Sequence, residues 1–264
     1  TDVDSSGHTS VVRDFTVHNL TCHDNNERAW RLLHTHKDVV NILNTTWKGG
    51  TMEGPGGGQK LNALREWIKS LPDHDVVVFT DGFDVFWTRE LDEVVGRFLE
   101  MKSEVVFAAE KYLWPNKLLR FPPSETPYRY LTSGCFIGRV GELKRIFATE
   151  LHDSADDQLY LQHRFLSRQY NMVLDHEGYI FQTNSDAVEV RSGTVYNDDT
   201  GCFGCIYHGN GGDEAKARFE YLFDQLHGEL KYASLEVMDY KVIGNEMLLV
   251  DFLTPSQGEE GMGV

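Results

Sequence analysis

Val76-Val77-Val78-Phe79-Thr80-Asp81-Gly82-Phe83-Asp84 is the stretch on which the fold turns. Four consecutive apolar residues, three of them β-branched, have the length of a strand and show no polar alternation. That is the pattern of a parallel strand buried on both faces. The run ends on two aspartates that bracket Gly82 and Phe83. Ligands of open parallel sheets bind outside the carboxyl ends of strands, and carboxylates crowded there need a cation or water. Gly82 permits a tight turn that lets both side chains converge. A lone Asp-x-x-Asp arises often by chance, and its plain reading is a pair of turn caps. Its position after a buried strand favours a hard divalent cation.

The neighbouring segments alternate in kind. Leu61, Leu64, Ile68 and Leu71 repeat at helical spacing and predict a helix over residues 59–71. Leu91, Val94, Val95 and Phe98 predict another over 90–101, and Val105-Val106-Phe107-Ala108-Ala109 reads as a second buried strand. Strand and helix in alternation mark an α/β chain with a mostly parallel sheet covered by helices. Further strands are expected at 14–20, 135–138, 172–174, 179–181, 206–207, 241–243 and 247–252, and a short apolar run at 39–43. Further helices are expected from Asp24 or Asn25 to about 34, and over 141–150, 158–169 and 213–226. Residues 1–10 are expected to be a disordered start, 11–253 a single domain, and 254–264 a flexible tail.

With 25 Lys+Arg against 41 Asp+Glu, the net charge of -16 is the wrong balance for neutralising nucleic-acid phosphates. No apolar run is long enough to span a membrane, and no basic-then-apolar leader opens the sequence. The four cysteines include Cys202-x-x-Cys205 without a second ligand pair, which reads as a loop disulfide or two plain thiols rather than a zinc site. Asn19-Leu20-Thr21 and Asn44-Thr45-Thr46 are glycosylation sequons and fit a secretory chain.

Three further segments carry chemistry. In Tyr207-His208-Gly209-Asn210-Gly211, His208 stands at a strand end beside glycines and is a candidate metal ligand. Gly211, Gly212 and the following helix start offer backbone N–H groups to a phosphate. Lys216 adds a charge one turn later, or is a solvated surface lysine. Gly56-Gly57-Gly58-Gln59-Lys60 opens a helix but is neither a Walker motif nor Gly-x-Gly-x-x-Gly; it reads as a phosphate contact or as a flexible loop before an ordinary helix start. Asp156-Asp157-Gln158 reads as a helix cap with a first-turn charge, or as carboxylates beside a sugar or its acceptor hydroxyl.

Taken together and in order, these segments resemble the N-terminal glycosyltransferase domain of the multifunctional procollagen lysyl hydroxylases. The matching stretches are WKGG at 47–50, GGGQK at 56–60, VVVFTDGFDV at 76–85 and VVFAAEKYLWP at 105–115. They continue with RYLTSGCFIG at 129–138, DDQLY at 156–160, LDHEGYIFQT at 174–183 and HGNG at 208–211. The resemblance implies a GT-A, Rossmann-like fold with a mixed, mostly parallel sheet, a UDP-sugar donor and Mn2+. It implies Asp81, Asp84 and His208 as metal ligands, and a donor site that includes Trp47, Lys60, Thr80, Phe83 (against the uracil), Asn210 and Gly211. It implies Asp156 and Asp157 in sugar transfer and Trp114 in a loop gating the pocket. Glucose from UDP-glucose and a galactosyl-hydroxylysine acceptor on collagen-like protein are expected, in the endoplasmic reticulum lumen for a eukaryotic source. Galactosyl transfer to hydroxylysine, a non-catalytic UDP-sugar or collagen-binding module, and a metal-dependent hydrolase are the alternatives. The sequence departs from the family at Ala155, which shortens the acidic run, and at Phe83, where tyrosine is usual. The basic residue expected just after HGNG is displaced, leaving Lys216 nearby. No 2-His-1-carboxylate iron site is expected within these residues.

Overall fold

The computed structural model describes residues 14–50, 56–228, 240–243 and 246–249. In chain order the first elements are β1 (Val17–Cys22), α1 (Trp30–Thr35), β2 (Val40–Asn41), α2 (Gly58–Ile68), β3 (Val76–Asp81), β4 (Val85–Trp87), α3 (Leu91–Glu100) and β5 (Val105–Glu110). Then follow β6 (Tyr130–Arg139), α4 (Val140–Ile146), α5 (Asp157–Ser167), β7 (Met172–Asp175), β8 (Phe181–Thr183), β9 (Val188–Arg191) and β10 (Thr194–Asn197). The last are β11 (Cys202–Phe203), β12 (Ile206–His208), α6 (Asp213–His227), β13 (Tyr240–Ile243) and β14 (Glu246–Leu249).

The central sheet runs β2-β1-β3-β6-β5-β7. All its neighbouring pairs are parallel except the two that β6 makes, with β3 and β5. The expected mixed, mostly parallel sheet is therefore present, and β6 is its one antiparallel member. A short strand at 135–138 was expected there, but β6 is ten residues long. Thr132, Ser133 and Gly134 break its apolar pattern although Thr132 and Ser133 are buried.

Alternate side chains of β3 feed two cores, as an all-buried strand requires. Val77 and Phe79 pack with Leu61, Leu64 and Ile68 of α2, with Val140, Leu143 and Ile146 of α4, and with Leu161 of α5. Val76 and Val78 pack on the other face with Leu32 of α1 and with Val94, Val95 and Phe98 of α3. Two small sheets add to this body, β4-β12-β8 and β11-β10-β9. The β9–β10 hairpin, unforeseen from the sequence, turns on Ser192 and Gly193, both with positive φ, the geometry of a two-residue hairpin loop.

The chain separates into two compact units, Thr1–Glu229 and Leu230–Val264. That boundary falls inside the single domain expected over 11–253. The last two expected strands pair with each other as the antiparallel hairpin β13–β14. The expected disordered start and flexible tail lie outside the described residues. No helix among the described residues is long and apolar enough to cross a membrane. All four cysteines are free thiols. Asn19 is only 5% exposed within β1, so its sequon is closed in the folded chain, while Asn44 lies exposed after β2.

Candidate active site

Asp81 is the last residue of β3, and Asp84 directly precedes β4. β4 pairs antiparallel with β12, His208 opposite Val85, and the Gly209 N–H donates to the Asp84 carbonyl at 2.8 Å. This register carries His208 to the two aspartates. Its Nε2 lies 3.5 Å from Asp84 Oδ2 and 3.9 Å from Asp81 Oδ2, and one ligand atom from each of the three residues falls within 4.8 Å of the others. Gly134 of β6 makes the approach possible. A Cβ there would lie 2.7 Å from Asp81 Oδ2 and 2.8 Å from His208 Nε2.

Lys60, 6% exposed on α2, links this cluster to the second acidic pair. Its Nζ stands 2.8 Å from Asp81 Oδ1 and 2.6 Å from Asp157 Oδ2. Burial alone would lower the ammonium pKa, but Asp157 and Asp81 prevail and raise it. Burial raises the Asp81 carboxyl despite Lys60. At Asp84 burial is outweighed by His208, and the pKa is lowered. At His208 burial is in turn outweighed by Asp84 and Cys135, and the imidazole pKa rises. Two oxygens and one imidazole nitrogen form a donor set that suits a divalent ion such as Mn2+. Asp81 and Asp157 contact Lys60 while Asp84 lies against His208, and a dication would offset the negative charge of the three carboxylates. The residues thus fit a metal.

The glycine segment behaves differently from both of its sequence readings. The N–H groups of Gly57, Gly58 and Gln59 donate to the carbonyls of Gly49, Ala155 and Asp153 at 2.7, 2.9 and 2.9 Å, so they are not free for a phosphate. A Cβ on Gly57 would lie 2.5 Å from the Asp157 carboxyl carbon. The glycines therefore let the 153–157 segment pack against the start of α2 and bring Asp157 to Lys60. Asp156 caps α5, its Oδ1 accepting from Leu159 N at 2.6 Å, and burial raises its carboxyl pKa.

The other expected donor-site residues are distributed as follows. Trp47 is half-buried and its indole N–H donates to the Gly50 carbonyl at 2.9 Å. Its loop is held by the amide of buried Gln59, which accepts from Lys48 N and donates to Thr45 Oγ1 and the Thr46 carbonyl. Phe83 is part-exposed between Asp81 and Asp84 in the chain, with the Arg28 guanidinium 4.0 Å from its ring centroid. Thr80 is wholly buried and its hydroxyl has no partner. Asn210 accepts from Asn184 N at 3.1 Å and donates to Glu110 at 2.6 Å. Gly211 has a φ of 129°. Lys216 is exposed and pairs with Asp213 on its own helix at 3.4 Å, the surface-lysine alternative. Asp213 and Glu214 in the first turn of α6 work against an anion at that N-terminus. Trp114 is 52% exposed, and its carbonyl accepts from Gln158 and Gln162. With Asp156, Lys117 and Leu159 it lines a cavity of about 480 Å³.

Glu110 was missed by the sequence reading. It ends β5 as Asp81 ends β3, a carboxylate closing a continuous apolar run, and that was the available signal. Its oxygens accept from Gln158 of α5 at 2.8 Å and from Asn210 at 2.6 Å. Burial pushes its pKa up to about 7 against those hydrogen bonds.

A family model described as the PLOD GT domain matches residues 15–234. Over 188 residues the chain is 38% identical to the procollagen-lysine,2-oxoglutarate 5-dioxygenase of Drosophila melanogaster, covering 64% of this chain and 26% of that protein. It is 32% identical over 228 residues to the multifunctional procollagen lysine hydroxylase and glycosyltransferase of Caenorhabditis elegans, covering 77% of this chain and 31% of that one. The chain therefore spans less than a third of the length of either relative. Among solved structures, a glycosyltransferase involved in the glycosylation of the major capsid of PBCV-1 is similar with a TM-score of 0.50 at 8% identity, covering 78% of this chain and 98% of that one. At that identity the likeness speaks for the fold alone, which is GT-A.

Proposed function

The chain belongs to the PLOD GT domain family, and from that premise we propose that it transfers a hexose from a UDP-sugar to a protein acceptor, with Mn2+ as the cation. Asp81, Asp84 and His208 would hold the ion; their convergence within 4.8 Å is the observation that carries this reading. When bound, the metal neutralises charge developing on the leaving diphosphate. Phe83 presents an aromatic face to the uracil. Lys60 keeps the Asp81 and Asp157 carboxylates in place and offsets their repulsion. Asp156, which lines the cavity beside Trp114, would accept a hydrogen bond from the acceptor hydroxyl. The reacting anomeric carbon gains oxocarbenium character, which the adjacent Asp157 carboxylate favours electrostatically.

The donor is UDP-glucose and the acceptor galactosyl-hydroxylysine of a collagen-like chain, in the secretory pathway. The names of the matched relatives, which carry procollagen, lysine and, for the Caenorhabditis elegans protein, glycosyltransferase, support a collagen-like acceptor. The test is UDP release from UDP-glucose and UDP-galactose, with hydroxylysine and galactosyl-hydroxylysine peptides, in Mn2+ or EDTA. Asp81→Ala is expected to abolish Mn2+-dependent transfer. Full turnover in that variant would refute the metal assignment, and preference for UDP-galactose with free hydroxylysine would replace the substrate assignment.

A further inference from the structure

Helix α5 has a cavity at each end. At its start, Asp156 and Leu159 line the cavity beside Trp114. At its end, Phe165, Leu166 and Arg168 line a second cavity, of about 340 Å³, together with Arg120 and Tyr170. Leu159 and Leu166 are two helical turns apart and therefore share one face of α5. The 114–122 segment also serves both cavities, Trp114 at the first and Arg120 and Pro122 at the second. It is fastened to α5 between them, where the Trp114 carbonyl accepts from Gln158 and Gln162. One helix face and one loop thus wall both sites. From Asp156 to Arg168 the helix rises about 18 Å.

The second cavity is cationic in an anionic chain. The net charge is -16, yet the exposed Arg168 side chain has no hydrogen-bond or ion-pair partner among the described residues, and Arg120 reaches only the Leu118 carbonyl, at 3.3 Å. The Tyr170 ring is flanked by the guanidinium groups of Arg145 and Arg164, 5.5 and 5.4 Å from its centroid. Of these four arginines only Arg145 has a carboxylate partner among the described residues, Glu142. Arg168 also occupies a left-handed backbone conformation, φ 55° and ψ 22°, at the end of α5. Glycine is favoured there. A long, charged, unpaired side chain kept at such a position points to a ligand rather than to stability.

We propose that this cavity is a second contact for the acceptor polypeptide, in which Arg120 and Arg168 hold a glutamate or aspartate carboxylate of the chain whose modified residue lies beside Trp114. This rests on the acceptor reading above and adds a sequence preference to it. Guanidinium groups pair with carboxylates through parallel, charge-assisted hydrogen bonds. A freely diffusing anion meets the repulsion of a strongly negative protein. An acidic side chain on a polypeptide already seated at the first cavity arrives instead at high effective concentration. An extended or polyproline-like chain advances about 3.1–3.4 Å per residue, so a span of about 18 Å separates the acid from the modified residue by about five or six residues.

The experiment uses galactosyl-hydroxylysine peptides with a glutamate about five or six residues to one side or the other, each compared with its glutamine counterpart. Binding is read by titration calorimetry, and KM and kcat by UDP release from UDP-glucose in Mn2+. The wild-type protein is expected to show a Kd and a KM roughly three- to tenfold lower for the glutamate peptide on one side, with similar kcat. Arg168→Gly removes the charge and suits the left-handed backbone, so the fold is expected to persist. In that variant the glutamate peptide is expected to fall to the level of the glutamine peptide, whose own Kd stays at the wild-type value. Arg120→Gln is expected to lose part of the preference. Equal binding of glutamate and glutamine peptides by the wild-type protein, on both sides, overturns the proposal. So does a folded Arg168→Gly protein in which both peptides weaken together, which would make the residue structural. A glutamate preference in binding without any UDP release would instead overturn the transfer reading beneath it and leave this contact standing.

Discussion

Gly134 shows how one residue's missing side chain sets a site. It lies in β6, whose pairing with β3 runs beside Asp81, and the space its Cβ would fill is taken by Asp81 Oδ2 and the His208 ring. Gly134→Ala would push the imidazole away from the aspartates without altering any ligand. Mn2+ affinity is expected to fall by about ten- to a hundredfold, the range for disturbed supports of a metal ligand, with the fold retained. Calorimetric titration with Mn2+ checks this; an affinity equal to the wild type would mean that the cluster does not bind the ion. Asp81 and Asp84 were readable as a carboxylate pair because they are near neighbours at a strand end. Gly134 was not, because its importance comes from β12, which reaches it only in three dimensions.

At the level of elements, α5 combines a structural and a chemical duty at one residue. Asp156 caps the helix through Leu159 N and also borders the cavity beside Trp114. The two duties separate by substitution. Asp156→Ala loses the cap and is expected to cost about 0.5–2 kcal/mol, whereas Asp156→Asn keeps a capping oxygen and most of that stability. Transfer is expected to fall in both. Urea unfolding with parallel UDP-release assays decides it, and full transfer by Asp156→Asn would leave only the capping role. Helices α2, α3 and α5 were legible because their apolar residues recur with helical period. Strand β6 was under-read because Thr132, Ser133 and Gly134 are polar or small, and Gly134 faces Asp81 and His208 rather than an apolar core. The β9–β10 hairpin is short and only partly buried, so its pattern was too weak to register.

At the scale of the first compact unit, the sheet has a chemical end and a fastening end. At the end of β3 opposite Asp81, buried Asp75 precedes the strand, accepting from Thr16 N at 2.9 Å and meeting His18 Nε2 at 2.9 Å. Its carbonyl also accepts from Val140 N at the start of α4. Burial would raise its pKa from 3.8, but the hydrogen bonds of His18 and Thr16 outweigh this and lower it. A depressed carboxyl pKa contributes stability above the unfolded value, and that contribution is lost as pH falls through the folded value. Asp75→Asn is therefore expected to destabilise the protein by about 1–3 kcal/mol at neutral pH, with a smaller gap from wild type well below pH 3.8. Urea denaturation at both pH values tests this, and a gap independent of pH would contradict the linkage.

The α/β class, the buried strands and the carboxylates at their ends followed from the order of residues along the chain, because apolar period and terminal carboxylates are properties of neighbours in sequence. Folding decided the rest. His208 meets Asp84 through the pairing of β12 with β4, and Lys60 bridges Asp81 to Asp157 because the glycines before α2 admit the 153–157 segment. Glu110 ties α5 to Asn210. Each of these is a contact between segments remote in sequence, set by strand register and close packing, and no local periodicity encodes where two such segments will meet.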